Sequence, residues 1–325
     1  KNRILMGSMH TGLEEEKNGL ERISAYYAER AKGGVGLIIT GGISPNIQGW
    51  TGPFSARMSS KKHAIQHQKI TKAVHDEGGK ICMQILHAGR YGYHPFNVAP
   101  SKIKSPITPF KPFKLTKSGV NRTIRDFVNC AKYSKIAGYD GVEIMGSEGY
   151  LINQFIAAHT NKRKDKWGGS YSNRMRLPIA LVKSVREAVG EDFIIIYRLS
   201  MLDLIEKGST WEEVVQLAKE IEKAGATIIN TGIGWHEARI PTIATSVPRA
   251  AFTWVTKKMK EEVSIPLVTS NRINMPETAE EVLARGDADM ISMARPFLAD
   301  PHWVNKAANE KSEEINTCIA CNQAC

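Results

Sequence analysis

The sequence predicts a (β/α)8 barrel, and three observations carry that expectation. Short apolar runs recur about eight times along the 325 residues, amphipathic stretches separate them, and several of those stretches end in glycine just before the next run. The runs cover residues 4–9, 35–42, 81–87, 141–146, 193–200, 227–232, 266–271 and 290–293. They are continuous rather than alternating, as strands covered on both faces are. Residues 19–32, 125–137, 210–224 and 276–284 read as helices, and Gly138, Gly225 and Gly286 sit where a left-handed cap would close three of them. A doubly wound sheet is the competing architecture, but no G-x-G-x-x-G follows the first run.

In chain order, the first run opens almost at Lys1, so the chain is expected to begin inside a domain. Residues 91–119 are rich in Pro, Lys and Ser and too long for an ordinary connection, which suggests a loop over the active face. Past Pro301 the barrel should be complete. The expected division is a barrel at 1–300 and a cysteine-bearing segment at 301–325.

Composition narrows the function. A hydrophobic content of 42% suits a globule with a real core. No apolar run reaches the ~18 residues a membrane span needs, and the start does not resemble a signal peptide. The net charge of +11 is scattered rather than gathered in one tract, which argues against nucleic acid and suits a phosphorylated small molecule. Five cysteines, three crowded at the end, argue against a disulfide framework and for a reducing, cytoplasmic setting.

A barrel places chemistry at the carboxyl ends of its strands. There the chain carries Ser8, Met9 and His10, then Gly42, Gln84 with His87, Glu148 with Tyr150, Arg198, His236 with Glu237, Asn271 with Arg272, and Ala294 with Arg295. Gln84 and Arg198 interrupt apolar strands, and unpartnered burial would cost about 2–7 kcal/mol. For Arg198 alone, a local salt bridge competes evenly with a ligand role. Together the strand ends suit a flat, polar-edged cofactor. Gln84 can pair with a ring amide, Arg198 can face N1 of a flavin, and Arg272 and Arg295 stand where barrels hold phosphate.

Tyr150 follows a Gly-Ser-Glu-Gly turn at a pocket mouth. A phenol, protonated at neutral pH, can donate to an enolate, and a nearby His236 can assist. Taken singly, packing for Tyr150 and a satisfied loop histidine for His236 compete with those roles. His10, His87 and His159 are weaker candidates, and His63, His67 and His75 read as helix-surface residues. Cys318-x2-Cys321-x3-Cys325 is spaced for zinc or an iron–sulfur cluster but offers three of four ligands. The fourth is expected beyond Cys325, with an open iron site or a metal-free tail as alternatives. Cys82 and Cys130 read as core.

The stretch 160–176 (TNKRKDKWGGSYSNRMR), with 295–303 (RPFLADPHW), 234–242 (GWHEARIPT) and 318–325 (CIACNQAC), resembles the flavin barrel of the Old Yellow Enzyme group over nearly the whole chain. Within that group it looks like the bacterial 2,4-dienoyl-CoA reductases. Clostridial enoate reductases and trimethylamine dehydrogenase share the plan. The resemblance implies FMN contacted by Ser8, Met9, His10, Gly42, Gln84, Arg198, Arg272, Ala294 and Arg295. It implies Cys318, Cys321 and Cys325 as three ligands of a [4Fe–4S] cluster. It implies Tyr150 as proton donor partnered by His236, and an acyl-CoA site lined by His159, His236, Glu237, Ala238 and Arg239. The implied reaction is reduction of the conjugated double bond of 2,4-dienoyl-CoA thioesters in unsaturated fatty acid β-oxidation. Rivals are enoate reduction and amine oxidation on the same scaffold, an RNA-modifying flavin barrel, and a non-catalytic docking platform. Family members carry a further half with FAD and an NADPH site, so this chain is expected to be truncated.

Overall fold

A computed structural model describes residues 2–323; Lys1, Ala324 and Cys325 lie outside the described residues. Eight parallel strands close into a barrel. They are β1 (Ile4–Met6), β2 (Leu37–Ile39), β3 (Ile81–Ile85), β4 (Gly141–Gly146), β5 (Ile194–Leu202), β6 (Ile228–Ile233), β7 (Leu267–Thr269) and β8 (Met290–Met293). Each strand pairs with its neighbours in sequence, and β1 pairs with β8 through Ile4↔Ile291 and Met6↔Met293 to shut the cylinder.

The apolar runs are continuous because every strand is covered twice. Leu5, Leu37, Ile39, Cys82, Ile196 and Val268 fill the interior. The opposite faces pack under the helices, with Ile38, Ile81, Val142, Ile195 and Ile229 in one large outer core. Each such side chain contributes about 1.5–3 kcal/mol by burial. Cys82 and Cys130 are both buried, as expected.

The outer ring is α1 (Gly19–Lys32), α2 (Lys61–Asp76), α3 (Lys117–Ile136), α4 (Arg176–Val189), α5 (Trp211–Lys223), α6 (Thr253–Lys260), α7 (Pro276–Ala284) and α8 (Trp303–Ala308). Gly138, Gly225 and Gly286 take positive φ just past α3, α5 and α7, as the capping reading requires.

Four differences from the expectation have physical causes. The ladders of β1, β2 and β7 are shorter than the apolar runs because residues 7–9, 40–42 and 270–271 leave the sheet to form the rim. Helix α3 begins eight residues early, where Thr116 caps it through the Gly119 N–H. Residues 91–119 are only partly a loop: Val98–Ala99 pairs with Phe113–Lys114 before α3 starts. His67 is not a surface residue of α2; it is buried, with Nδ1 2.9 Å from the Tyr139 hydroxyl.

Beyond Pro301, α8 docks back on the barrel through Trp303 Nε1, which donates to the Asn274 carbonyl at 3.2 Å. The chain then returns toward the carboxyl ends of β7 and β8. No helix among the described residues is long and apolar enough to cross a membrane.

Candidate active site

The carboxyl ends of the strands surround a cavity of about 950 Å³, at the upper end of the usual range for small-molecule sites. Ser8, Met9, His10, Arg198, Arg272, Ala294 and Arg295 line it, with Glu148, His236, Ala238 and Cys318. The structure therefore gathers around one cavity residues that range from 8 to 318. Gly42 and Gln84 do not line it. A Cβ at Gly42 would come within 2.7 Å of Leu86 Cδ1 and 3.2 Å of Gln84 Oε1, so glycine there lets Leu86 pack against the rim.

Gln84 is occupied from within the protein. It is 3% exposed, and its Nε2 donates to Glu143 Oε1 at 2.8 Å. Asn230 Nδ2 donates to the other oxygen of Glu143 at 2.7 Å. Glu143 is completely buried, so both hydrogen bonds partner carboxyl oxygens that burial would otherwise leave unsatisfied. Arg198 also has a protein partner: Nε and Nη2 reach Glu148 Oε1 at 3.0 and 2.6 Å. Burial disfavours its charge, but Glu148 and then Glu143 outweigh that and raise its proton affinity. Sequence reasoning flagged Gln84 and Arg198 as needing partners but passed over Glu143 and Asn230. The same signal, a polar side chain inside an apolar strand, marks both.

Tyr150 and His236 come together. His236 Nε2 lies 2.9 Å from the Tyr150 hydroxyl, and the rings meet edge-on at 5.1 Å. The Gly-Ser-Glu-Gly turn explains the placement of Tyr150. Glu148 and Gly149 both adopt positive φ, and a Cβ on Gly149 would strike the Tyr91 ring at 2.7 Å. Burial first, then the Glu148 carboxylate, push the Tyr150 phenol well above its ordinary range, with Arg198 pulling the other way. The phenol therefore keeps its proton at neutral pH. His236 is exposed, so it joins Tyr150 to solvent.

Glu237, expected to line the substrate site, is committed elsewhere. Both its oxygens accept from Arg90 Nη2 at 2.6 Å, and Oε2 accepts from the Tyr91 hydroxyl at 2.9 Å. Its side chain is 7% exposed. His159 lies at the edge of this cluster, 3.7 Å from Glu237 Oε1, and burial and Arg90 lower its proton affinity. Ala238 lies on the cavity wall and Arg239 is exposed outside it. The Arg90–Glu237 pair joins residues 147 positions apart and had no local signal.

On the far side, Asn271 and Arg272 both take positive φ at the end of β7. Arg272 Nε donates to the Val247 carbonyl at 2.8 Å and Arg295 Nη2 to the Ile243 carbonyl at 2.6 Å. Burial, followed by crowding from Arg295 and Arg249, lowers the proton affinity of Arg272. Cations so arranged favour an anion between them.

The cysteine segment closes over this end. Asn274 Nδ2 donates to the Cys318 carbonyl at 2.8 Å, Thr245 Oγ1 to the Ile319 carbonyl at 2.6 Å, and Arg295 Nη1 to Asn322 Oδ1. Cys318 faces the cavity and Cys321 is exposed. Cys325 lies outside the described residues, so the third expected thiolate has no described position.

Residues 1–314 match the model of the NADH:flavin oxidoreductase / NADH oxidase family. The chain belongs to that family. A metal reductase from Desulforamulus reducens is 39% identical over 333 residues, 100% of this chain and 49% of the relative. An NADH oxidase from Thermoanaerobacter brockii is 38% identical over 336 residues, 100% of this chain and 51% of the relative. Among solved structures, a 2-naphthoyl-CoA reductase in complex with 2-naphthoyl-CoA superposes with a TM-score of 0.95 at 33% identity, covering 100% of this chain and 52% of that one. The chain spans about half the length of these relatives. As a family member, its rim cavity is where a flavin belongs, and the cavity's size and its arginines at the β7 and β8 ends fit one.

Proposed function

We propose that this chain binds FMN in the rim cavity and reduces a carbon–carbon double bond conjugated to a thioester, as in a 2,4-dienoyl-CoA. The Tyr150–His236 hydrogen bond of 2.9 Å, set beside the cavity, carries the reading. Bound FMN would supply the hydride. Ser8, Met9, His10, Arg198 and Ala294 would hold the ring system, and Arg272 and Arg295 the phosphate. Gln84, Glu143 and Asn230 form the polar layer behind them.

When hydride reaches the distal carbon of the substrate, negative charge spreads to the thioester oxygen. Tyr150 donates the proton that quenches this anion, and His236 returns a proton to Tyr150 from solvent. The burial that raises the Tyr150 phenol favours donation over ionisation. Ala238 and Arg239 would meet the acyl-CoA, with Arg239 suited to its phosphates. The likeness to a reductase solved with an aromatic acyl-CoA supports this substrate class. A [4Fe–4S] cluster on Cys318, Cys321 and Cys325 belongs to the same proposal. So do a fourth ligand outside this chain, a further domain with FAD and an NADPH site, and a cytoplasmic role in unsaturated fatty acid breakdown.

Amine oxidation is the second reading, favoured by the rings of Tyr91, Tyr150 and Trp235 grouped near His236. Against it, the acids beside those rings, Glu148 and Glu237, are each held by an arginine.

The test is anaerobic. Protein loaded with FMN is photoreduced and mixed with a 2,4-dienoyl-CoA, while oxidised protein is mixed with trimethylamine. Rapid return of the oxidised flavin band with the thioester is expected. No return, or bleaching by the amine, would overturn the reading.

A further inference from the structure

We propose that Glu237 is a positioning residue: with Arg90 and Tyr91 it fixes the segment carrying His236 and so sets the His236–Tyr150 hydrogen bond. This rests on the reading of Tyr150 and His236 as the proton-delivery pair.

His236 sits between two anchored neighbours. On one side, Trp235 Nε1 donates to Asp203 Oδ1 at 2.8 Å and its backbone N–H to the Asp203 carbonyl at 3.1 Å. Asp203 is itself buried and accepts from Ser200 Oγ at 2.6 Å and the Ser209 N–H at 2.7 Å. On the other side, Glu237 is gripped by Arg90 and Tyr91. Arg90 is 1% exposed, and its Nη1 donates to the Lys104 carbonyl at 3.2 Å. Beyond the end of β6 no ladder or helix holds the chain until α6 at Thr253. Backbone bonds hold it as well, the His236 N–H donating to the Glu148 carbonyl at 3.3 Å and the Gly234 N–H to the Leu202 carbonyl at 2.7 Å, and the side-chain anchors fix the residues on either side of His236.

Tyr91 carries the coupling. Its hydroxyl reaches Glu237, while its ring stands edge-on to both Tyr150 and His236, at 5.9 Å from each. A displaced Glu237 therefore moves the surface against which both donor rings pack. A buried ion pair adds little net stability compared with apolar packing. Its value here is directional, because two oxygens facing one guanidinium accept few geometries.

Glu237→Gln keeps the shape but presents an amide N–H to the Arg90 N–H groups. In the photoreduced, FMN-loaded protein the limiting rate of reoxidation by a 2,4-dienoyl-CoA should fall about ten- to a hundredfold, with half-saturation moving less than about twofold. Tyr91→Phe, which leaves the charges intact, should lower the same rate by a smaller factor and carries the test if the first variant does not fold. A second readout uses flavin-free protein labelled with ¹⁵N-histidine, the His236 signals being assigned by their loss in His236→Gln. Those signals should move in Glu237→Gln toward the free-imidazole position. Unchanged signals with a wild-type limiting rate would overturn the proposal. So would a raised half-saturation at a wild-type limiting rate, since Glu237 would then be binding substrate. If wild-type reduced flavin ignores the thioester, the substrate reading fails, and the histidine signals still decide the anchor.

Discussion

The surroundings of Tyr150 oppose its ionisation. Burial and Glu148 both raise its proton affinity from the ordinary 10.0. The sign follows directly: a raised phenol keeps its proton as pH climbs, so donation outlasts the range of a free tyrosine. Reoxidation of the reduced protein by a dienoyl-CoA should therefore hold its rate up to pH 10, where a solvated phenol would be half ionised. A decline centred near pH 9 or below would contradict the donor assignment. Tyr150→Phe should slow the same step by about a hundredfold or more, the usual worth of a positioned acid, and stopped-flow absorbance of the flavin band measures it. Tyr150 and His236 were legible in the sequence as residues after two strands. That Glu237 is paired with Arg90 was not. A glutamate beside a histidine in a loop reads as exposed until its partner is known.

At the scale of elements, the alternation of strands and helices followed from local rules. Helix α5 shows how local they are. Thr210 accepts from the Glu213 N–H at 3.3 Å, and Glu213 Oε2 accepts from the Thr210 N–H at 3.2 Å, a reciprocal cap readable from spacing alone. Thr210→Ala should lower stability by about 1 kcal/mol, seen as a lower denaturant midpoint at unchanged slope. An unchanged midpoint would show that α5 is held by its packing alone. Strand ends were harder. The apolar runs of β1, β2 and β7 continue past their ladders because rim residues such as Gly7, Thr40, Gly41 and Ser270 are also buried, while Ser8, Met9, Gly42 and Asn271 are half-buried. Hydrophobicity cannot tell burial in the rim from burial in a ladder. The opposite holds at His67, a polar residue on a helix that reads as exposed and is instead bonded to Tyr139 in the core.

For the whole molecule, that burial has a pH consequence. His67 is lowered from 6.5 to about 4, chiefly by burial, and His87 to about 3 for the same reason. The unfolded chain therefore takes up these protons first as pH falls. Stability is intact above pH 6.5 and lost progressively from there to about 4, with His87 extending the loss lower. Melting temperature followed from pH 7 to 4 should drop across that window. His67→Gln should flatten the upper part of the drop while lowering the melting point at neutral pH. A wild-type slope in the variant would show that other groups govern acid unfolding.

The sequence by itself determined a barrel of eight covered strands, their helices and the side of the barrel that carries polar groups. Those depend on burial and capping, which act over a few residues. Only the tertiary structure decided which polar groups meet. Glu143 sits between Gln84 and Asn230, Glu148 holds Arg198, and Arg90 reaches Glu237 across 147 positions. Partners so distant are chosen by closure of the sheet and the course of its loops. A buried polar group must take whichever partner that closure brings within reach, and no local pattern records the choice.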